Sequence, residues 1–176
     1  MGKREEVKFS KKARDSYFTI DPIASYTLTN HLTAGTKFVE PCAGAGDLVN
    51  GLQKLGHICL EAYDIEPQTP WVKQRNCLTL DKCSLSGADI LASNPPFTWS
   101  VLQPLMSHMI SILPTWLLLP ADFMHNVRMG PYMKQCKKVV SIGRLFWEPN
   151  KVKGVDNFCW YLFDKDHKGS TEFVGR

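Results

Sequence analysis

The sequence predicts an α/β domain in which helices cover both faces of a mostly parallel central sheet, and three observations support this prediction. Short apolar segments alternate with segments whose apolar residues recur at helical spacing. Turn-forming glycines and prolines separate these segments. The chain has 176 residues, of which 44% are hydrophobic and 22% charged. That is the composition of one globular domain, and it excludes a disordered, collagenous or coiled-coil chain.

The first half of the chain contains three apolar segments that are short enough to be strands and that end in turn residues. These predicted strands cover residues 36–40, 58–63 and 89–93. A helix over residues 47–55 follows the first strand, because Leu48 and Leu52 share one helical face. Between the second and third strands, a polar stretch leads to the apolar segment 77–80.

The second half begins with the clearest helical pattern, in which apolar residues from Leu102 to Leu113 recur every three or four positions. Pro114 ends this helix. The remaining apolar segments are predicted strands over residues 115–119, 139–142, 145–147 and 158–163. Such an alternation is typical of βαβ units, whose ligands bind beyond the carboxyl ends of the strands.

Positive charge is concentrated in two parts of the chain, although the net charge is only +4. Residues 1–16 carry six Lys or Arg against three Asp or Glu, and residues 122–153 carry seven against two. We therefore predict a basic, mobile tail over residues 1–16, a domain over residues 17–176, and a surface that meets phosphate groups. The alternative is a frayed terminus and an ordinary solvated face.

The sequence further predicts a cytoplasmic protein without a resident metal. The N-terminal residues lack the apolar region of a signal peptide, and the longest apolar run, residues 116–119, is far short of the ~20 residues that span a bilayer. The six cysteines include no C-x-x-C pair and the histidines are not clustered, so we expect no metal site. We interpret the cysteines as small buried hydrophobes in a reducing compartment.

A glycine-containing turn follows the first predicted strand, and it reads Glu40-Pro41-Cys42-Ala43-Gly44-Ala45-Gly46-Asp47. Glycines at such a turn let a ligand approach the backbone, and the N-terminus of the next helix offers free N–H donors. A dinucleotide fingerprint requires a third glycine where this sequence has Val49, which disfavours a dehydrogenase. A plain tight turn is the alternative.

An acidic residue, Asp64, ends the second predicted strand twenty residues after Gly44. A carboxylate at this position can accept hydrogen bonds from ribose hydroxyls. An ordinary acid at a strand end is the alternative, and the matching glycine turn favours the binding role.

The motif Asn94-Pro95-Pro96-Phe97 follows the third predicted strand. Its two prolines end the strand and fix a stiff extended turn. The Asn94 side chain and the Pro95 carbonyl then present two hydrogen-bond acceptors at fixed positions beside an aromatic ring. Such a site suits a planar group that bears an NH2.

Together, E-P-x-A-G-x-G, the acid after the second strand and N-P-P-F resemble the S-adenosylmethionine-dependent amino-methyltransferases. The resemblance is to the adenine-N6 DNA methyltransferases, including small phage-type members, and it extends from about Tyr17 to Phe163. It implies a single Rossmann-like class I methyltransferase domain, S-adenosylmethionine as cofactor and DNA as partner. It also implies methyl transfer to the exocyclic N6 of a flipped-out adenine.

The resemblance implies two sets of site residues. The catalytic residues are Asn94, Pro95, Pro96 and Phe97. The cofactor-binding residues are Tyr17, Thr19, Glu40, Pro41, Cys42, Ala43, Gly44, Gly46, Asp47, Asp64, Ile65, Asn76 and Asn94. We expect residues 17–22 to close over the methionine part of the cofactor and Phe97 to stack on the target base. We interpret Trp99, Trp116, Trp147 and Trp160 as core residues in the first place, and among them Trp147 and Trp160 have the better claim to the base pocket.

The sequence departs from this family's pattern in two respects. The family often places an aspartate near the end of strand three, where this sequence offers Asn76 or, further on, Asp81. Larger members also carry a separate target-recognition domain, for which we expect no room here. Sequence specificity is therefore either modest or supplied by the basic segment, residues 122–153, to which we also assign the phosphate contacts. The candidates are Arg128, Lys134, Lys137, Lys138 and Arg144.

The predicted chemistry starts from the poor nucleophilicity of adenine N6, whose lone pair is delocalised into the ring. Hydrogen bonds from its two N–H groups to Asn94 Oδ1 and the Pro95 carbonyl would localise that lone pair for attack on the methyl group. The same acceptors suit adenine in RNA or the side-chain amide of glutamine, and a catalytically silent nucleic-acid-binding module is a further alternative. The basic segments favour nucleic acid over protein.

Overall fold

An eight-stranded sheet organises the chain, which the computed structural model describes over residues 17–176. The strands are β1 (Lys37–Glu40), β2 (Ile58–Asp64), β3 (Lys73–Gln74), β4 (Ile90–Ser93), β5 (Thr115–Pro120), β6 (Cys136–Phe146), β7 (Lys153–Phe163) and β8 (Glu172–Val174). The α-helices are α1 (Pro22–Thr29), α2 (Asp47–Lys54), α3 (Trp99–Ile112) and α4 (Gly130–Met133). Short 3-10 helices cover Cys77–Thr79, Ala121–His125 and Val127–Met129. The predicted tail, residues 1–16, lies outside the described residues.

The strand order across the sheet is β3-β2-β1-β4-β5-β7-β6-β8. Neighbours from β3 to β5 pair in parallel, and β6 pairs in parallel with β8. β7 is antiparallel to both β5 and β6, because it returns from β6 through a short turn and inserts between them. The sheet is therefore mixed, with the predicted parallel half intact.

Helices cover both faces of the sheet, as predicted. Successive strand residues point to opposite faces, so Phe38 packs against α1 and α2 while Val39 packs against α3. α1 and α2 contribute apolar side chains such as Leu28 and Leu52 to the first core. The buried face of α3 forms the second core, through Leu102, Leu105, Met106, Met109 and Ile110.

Two of the elements that differ from the sequence prediction are β6 and α1. The predicted strands 139–142 and 145–147 form one strand, β6, which passes through Gly143 with a φ of 96° and irregular pairing. α1 is absent from the sequence prediction, and it begins at an Asp21 side chain that caps the backbone N–H of Ile23. Trp160 is fully buried and donates from Nε1 to the Ala24 carbonyl, which agrees with its interpretation as a core residue in preference to the base pocket.

Three further observations concern the cysteines, membrane-spanning helices and metal-ligand groups. Of the six cysteines, all unbonded, Cys77, Cys136 and Cys159 are buried as predicted, whereas Cys83 is exposed. Over residues 17–176, no helix has the length and apolar character needed to cross a membrane. In the same range, no three His, Cys, Asp or Glu side chains are grouped as metal ligands.

α1 and α2 pack so closely that a glycine is required between them. A Cβ added to Gly51 of α2 would collide with Ser25 Oγ of α1 and would lie 2.9 Å from Ser25 Cβ. Gly51→Ala should therefore destabilise the fold, although alanine is favoured over glycine in helices by about 1 kcal/mol. The double variant Ser25→Gly/Gly51→Ala should recover stability close to that of the parent. Urea unfolding of the three proteins tests this contact, and a Gly51→Ala variant more stable than the parent would contradict it.

Candidate active site

A cavity of about 790 Å³ opens at the carboxyl ends of β1, β2 and β4, where the three sequence motifs meet. Most of the predicted cofactor-binding residues line it, namely Tyr17, Thr19, Glu40, Pro41, Cys42, Ala43, Gly44, Asp47, Asp64, Ile65, Asn76 and Asn94. Of the predicted catalytic residues, Asn94 and Pro96 line the cavity, whereas Pro95 and Phe97 lie outside its lining. The cavity has the size of a small-molecule site.

The glycine turn is held to the end of β2 by backbone hydrogen bonds. Ala43 N–H donates to the Tyr63 carbonyl at 2.8 Å, and Gln68 N–H donates to the Gly44 carbonyl at 3.0 Å. These bonds leave one wall of the cavity rigid before any ligand binds.

The two glycines of this turn accommodate aromatic side chains of the protein itself. Gly44 (φ 53°) lies against the Phe18 ring, which a Cβ at this position would meet at 3.1 Å. Gly46 (φ 84°) lies under the Trp71 ring, and a Cβ there would overlap it. Gly46 does not line the cavity. In this structure Gly46 packs under Trp71 beside the start of α2, and its cofactor contact stays a prediction.

Both carboxylate oxygens of Asp64 accept hydrogen bonds from backbone N–H groups. Its Oδ2 accepts from Gly44 N–H and its Oδ1 from Glu66 N–H, both at 2.8 Å. The carboxylate thus fixes the glycine turn to the end of β2, a role that the sequence spacing did not indicate. Each oxygen retains a second lone pair, so a ribose contact stays compatible with this geometry.

The charged side chains in the described lining of the cavity are all carboxyl groups. Glu40, Asp47, Asp64 and Glu66 line it, and none of the described lining residues is a lysine or arginine. The cavity is therefore suited to a cation and disfavours phosphate.

The Glu40 carboxyl is the most deeply buried of these groups. Burial raises its pKa well above the usual range, and the charges of Asp64 and Asp47 raise it further, against hydrogen bonds from the backbone N–H groups of Val49 and Asn94. Glu40 Oε2 is buried without a hydrogen-bond partner in the described part of the chain. An unpartnered buried oxygen is costly and calls for a ligand, water or ion.

The Asn94 side chain is oriented by the segment that precedes α1. Its Nδ2 donates to the Tyr17 carbonyl at 2.7 Å and to Thr19 Oγ1 at 3.0 Å. Because a carbonyl oxygen can only accept, the amide must present its NH2 to Tyr17 and its Oδ1 away from it. Oδ1 is buried and has no partner among residues 17–176.

An aromatic cluster lies beside Asn94, and it consists of Tyr17, Phe97, Phe123, Trp147 and Phe158. Tyr17 stacks on Phe97 at 5.6 Å between ring centroids, with 23° between the planes. Phe97 also contacts Phe158 at 5.6 Å, and Phe123 and Trp147 at 6.5 Å. One face of the predicted base-stacking ring is therefore covered by Tyr17, while Trp147 lies in the cluster as its sequence position suggested.

Sequence reasoning missed the apolar walls of the cavity. Leu78, Val101 and Pro104 line it alongside the predicted Ile65, and the first two are more than 40% exposed. No motif marks these residues, since partly exposed apolar side chains are common on protein surfaces. Asn76 lines the cavity and caps the backbone N–H of Leu78, whereas Asp81, the other candidate, binds Ser84 and lies outside the lining.

The five predicted phosphate-binding residues do not form one cluster. Arg128 lies over the Trp99 ring at 4.7 Å, just beyond the N-P-P-F turn. Arg144 lies near the same edge of the sheet, where it is opposite Asn157 in the pairing of β6 with β7. Lys137 and Lys138 lie at the start of β6, at the opposite edge, and Lys134 precedes them. Lys138 forms an ion pair of 3.0 Å with Glu172. The structure therefore divides the basic segment between two ends of the molecule.

Comparison with solved structures identifies the fold. The chain is similar to the methyltransferase subunit of a type I restriction-modification system from Streptococcus thermophilus, with a TM-score of 0.59, 12% identity, and 93% of this chain and 48% of that chain covered. It therefore spans about half the length of that subunit. It is also similar to a TehB-like S-adenosylmethionine-dependent methyltransferase from Corynebacterium glutamicum, with a TM-score of 0.56, 14% identity, and coverage of 84% and 89%.

A third similar structure is a Pyrococcus horikoshii protein provisionally described as an RNA methyltransferase, with a TM-score of 0.56, 16% identity, and coverage of 82% and 80%. No protein-family model matches the chain, and no curated protein matches it by sequence. The fold is that of the Rossmann-like S-adenosylmethionine-dependent methyltransferases, which is the fold class that the sequence predicted.

Proposed function

We propose that the protein transfers the methyl group of S-adenosylmethionine to the exocyclic N6 of adenine in DNA. The observation that carries this proposal is the Asn94 amide, whose buried Oδ1 is oriented and unpartnered among residues 17–176, beside a cavity lined by carboxyl groups. The fold supports the reaction class, and the substrate follows from the chemistry of the site and the charge of its surroundings.

The cavity fits the charge of the cofactor. S-adenosylmethionine has a sulfonium and an ammonium against one carboxylate, so it is a net cation, and it supplies an electrophilic methyl group. Glu40 and Asp47 would balance the positive charges, Asp64 would accept from the ribose, and Asn76 with Ile65 and Leu78 would hold the adenine. The same carboxyl groups oppose a phosphate-bearing cofactor, which argues against a dehydrogenase independently of Val49.

Asn94 and Pro95 would hold the reacting amine. The two N–H groups of adenine N6 would donate to Asn94 Oδ1 and to the Pro95 carbonyl. By accepting from both N–H groups, these neutral oxygens would draw the nitrogen towards tetrahedral geometry, and the nitrogen would lose one proton after it receives the methyl group. Correct positioning of the nitrogen for in-line attack can contribute on the order of 7–11 kcal/mol to lowering the barrier.

The aromatic cluster would hold the target base. A base in a duplex must leave the stack to reach Asn94, at a cost of a few kcal/mol. Stacking on Phe97, worth about 1–3 kcal/mol, would offset part of this cost. Because Tyr17 covers one face of Phe97, the base must displace the Tyr17 ring or approach from another side.

Adenine in RNA is the nearest competing substrate, and the Pyrococcus horikoshii neighbour makes it worth testing directly. A glutamine amide would satisfy Asn94 equally well but would not use the aromatic cluster. A silent binding module would have no need of an oriented amide at this turn.

The substrate can be identified by product analysis. Labelled S-adenosylmethionine is supplied with unmethylated DNA, total RNA or protein extract, and the product is digested and identified. We expect N6-methyladenine in DNA, abolished by Asn94→Ala and unaffected by Asn50→Ala, an exposed asparagine on α2. Label in RNA or in glutamine would overturn the substrate, and binding of cofactor without any label would favour the silent module.

Thr19 should act as a positioning residue for Asn94. Thr19→Val keeps the side-chain shape but removes one of the two acceptors of Asn94 Nδ2, at a cost of about 1–3 kcal/mol for a buried donor. The single-turnover rate at saturating cofactor should fall about tenfold, and Thr19→Ser should restore it. Equal losses in the valine and serine variants would contradict this role.

Cofactor binding should depend on pH through Glu40. Burial raises the pKa of this carboxyl in the free protein, and a bound cation would lower it, so binding should release a proton. Affinity should therefore rise with pH until the pKa of free Glu40 is passed, and Glu40→Gln should flatten the profile. Titration calorimetry in two buffers of different ionisation enthalpy measures the proton release. Identical profiles for the parent and Glu40→Gln would exclude Glu40 as the coupled group.

A further inference from the structure

The hairpin formed by residues 143–158, here called the β6–β7 ribbon, extends beyond the rest of the sheet. Pro120, the last residue of β5, pairs with Phe158 of β7, and β8 pairs only with Lys138–Val140. Within the described chain, residues 153–157 therefore have no strand partner except β6. They lie past the end of β5, opposite residues 144–146 of β6, where the pairing of the two strands is irregular.

The far end of this ribbon packs on the candidate active site. Trp147, which follows the Phe146–Lys153 pair, contacts Phe158 at 4.9 Å between ring centroids, and both rings contact Phe97. Phe146 N–H donates to the buried Asp21 side chain at 3.3 Å, which joins the ribbon to the segment before α1. The ribbon is therefore held beside the edge at which the target base would enter.

The side chains of the ribbon differ in charge from those of the cavity. Arg144, Lys151 and Lys153 are exposed, and none of them forms an ion pair with another residue of the 17–176 range. The acidic residues of the ribbon are Glu148 and Asp156, so the ribbon carries a net positive charge while the cavity lining is acidic. An acidic cavity that suits a cation thus lies beside a basic ribbon that suits a polyanion.

One face of β7 presents polar and apolar groups together. Lys153, Val155 and Asn157 are exposed and lie two residues apart, so they share a face of β7, and the exposed Asp156 lies on the other face. Val155 is 57% exposed, and Val152 near the tip is 70% exposed. An asparagine amide can bind adenine N6 and N7, and an apolar side chain can contact the thymine methyl group.

We propose that the β6–β7 ribbon binds in the major groove of duplex DNA beside the target adenine, an inference that rests on the proposed function. Arg144, Lys151 and Lys153 contact phosphates, and Val155 and Asn157 contact base edges. The major groove of B-form DNA, about 12 Å wide, admits a two-stranded ribbon. The deep, narrow major groove of duplex RNA does not, so the ribbon selects DNA.

The test compares two triple variants that remove equal charge from opposite ends of the molecule. Arg144→Ala/Lys151→Ala/Lys153→Ala alters the ribbon. The matched control, Lys54→Ala/Lys165→Ala/Lys168→Ala, alters exposed lysines at the end of α2 and after β7, at the far edge of the sheet. Binding to a random-sequence DNA duplex and to an RNA duplex of the same sequence is measured by fluorescence anisotropy across a salt series, without cofactor.

The ribbon variant should bind DNA about tenfold more weakly, and its slope of log K against log salt should fall by about 2 to 3. The control variant and all RNA measurements should change less than twofold. Equal losses in both variants, or an equal loss on RNA, would overturn the proposal. If the triple variant unfolds, the double variant Lys151→Ala/Lys153→Ala, near the exposed tip, replaces it. The slope for this double variant should fall by about two-thirds as much as is expected for the triple variant.

The outcome can be separated from that of the proposed function. Ribbon-independent DNA binding in a protein that still forms N6-methyladenine would remove the ribbon proposal alone. Ribbon-dependent duplex binding without any methylated adenine would remove the proposed function alone.

Discussion

The orientation of one amide, that of Asn94, underlies the whole candidate site. Its NH2 group donates to the Tyr17 carbonyl and to Thr19, which draws the segment before α1 across the end of β4. The same two bonds close one side of the cavity and leave Oδ1 as a buried acceptor. Because Tyr17 also stacks on Phe97, the contact between these segments sets both the polar and the aromatic parts of the site.

Much of the fold could be predicted from sequence because the parallel strands are short apolar runs with clear turns after them. α1 could not, since it has few apolar residues in a regular stripe and depends on the Asp21 cap and on contacts with α2 and β6. The sequence pattern divides β6 in two because Gly143 and Arg144 interrupt its apolar run. These are features of tertiary pairing rather than of local propensity.

The site was predictable where a motif meets a strand end, and less so where a role depends on a neighbour distant in sequence. Glycine spacing marked the turn but could not reveal that Phe18 and Trp71 occupy the space over Gly44 and Gly46. The basic segment is continuous in sequence, but it includes β6, which runs from one end of the sheet to the other. Lys137 and Arg144, seven residues apart, are separated by about 24 Å along an extended strand. A charge cluster in sequence is thus not a cluster in space.

The stack of Tyr17 on Phe97 has a consequence for the behaviour of the protein in solution. Contiguous exposed apolar surface promotes self-association, and the rings around Phe97 would form such a surface if one face were bare. In this conformation, Tyr17 shields that face from water. The segment before α1 thereby covers apolar surface as well as orienting Asn94, and loss of Tyr17 would expose this face of Phe97 to water.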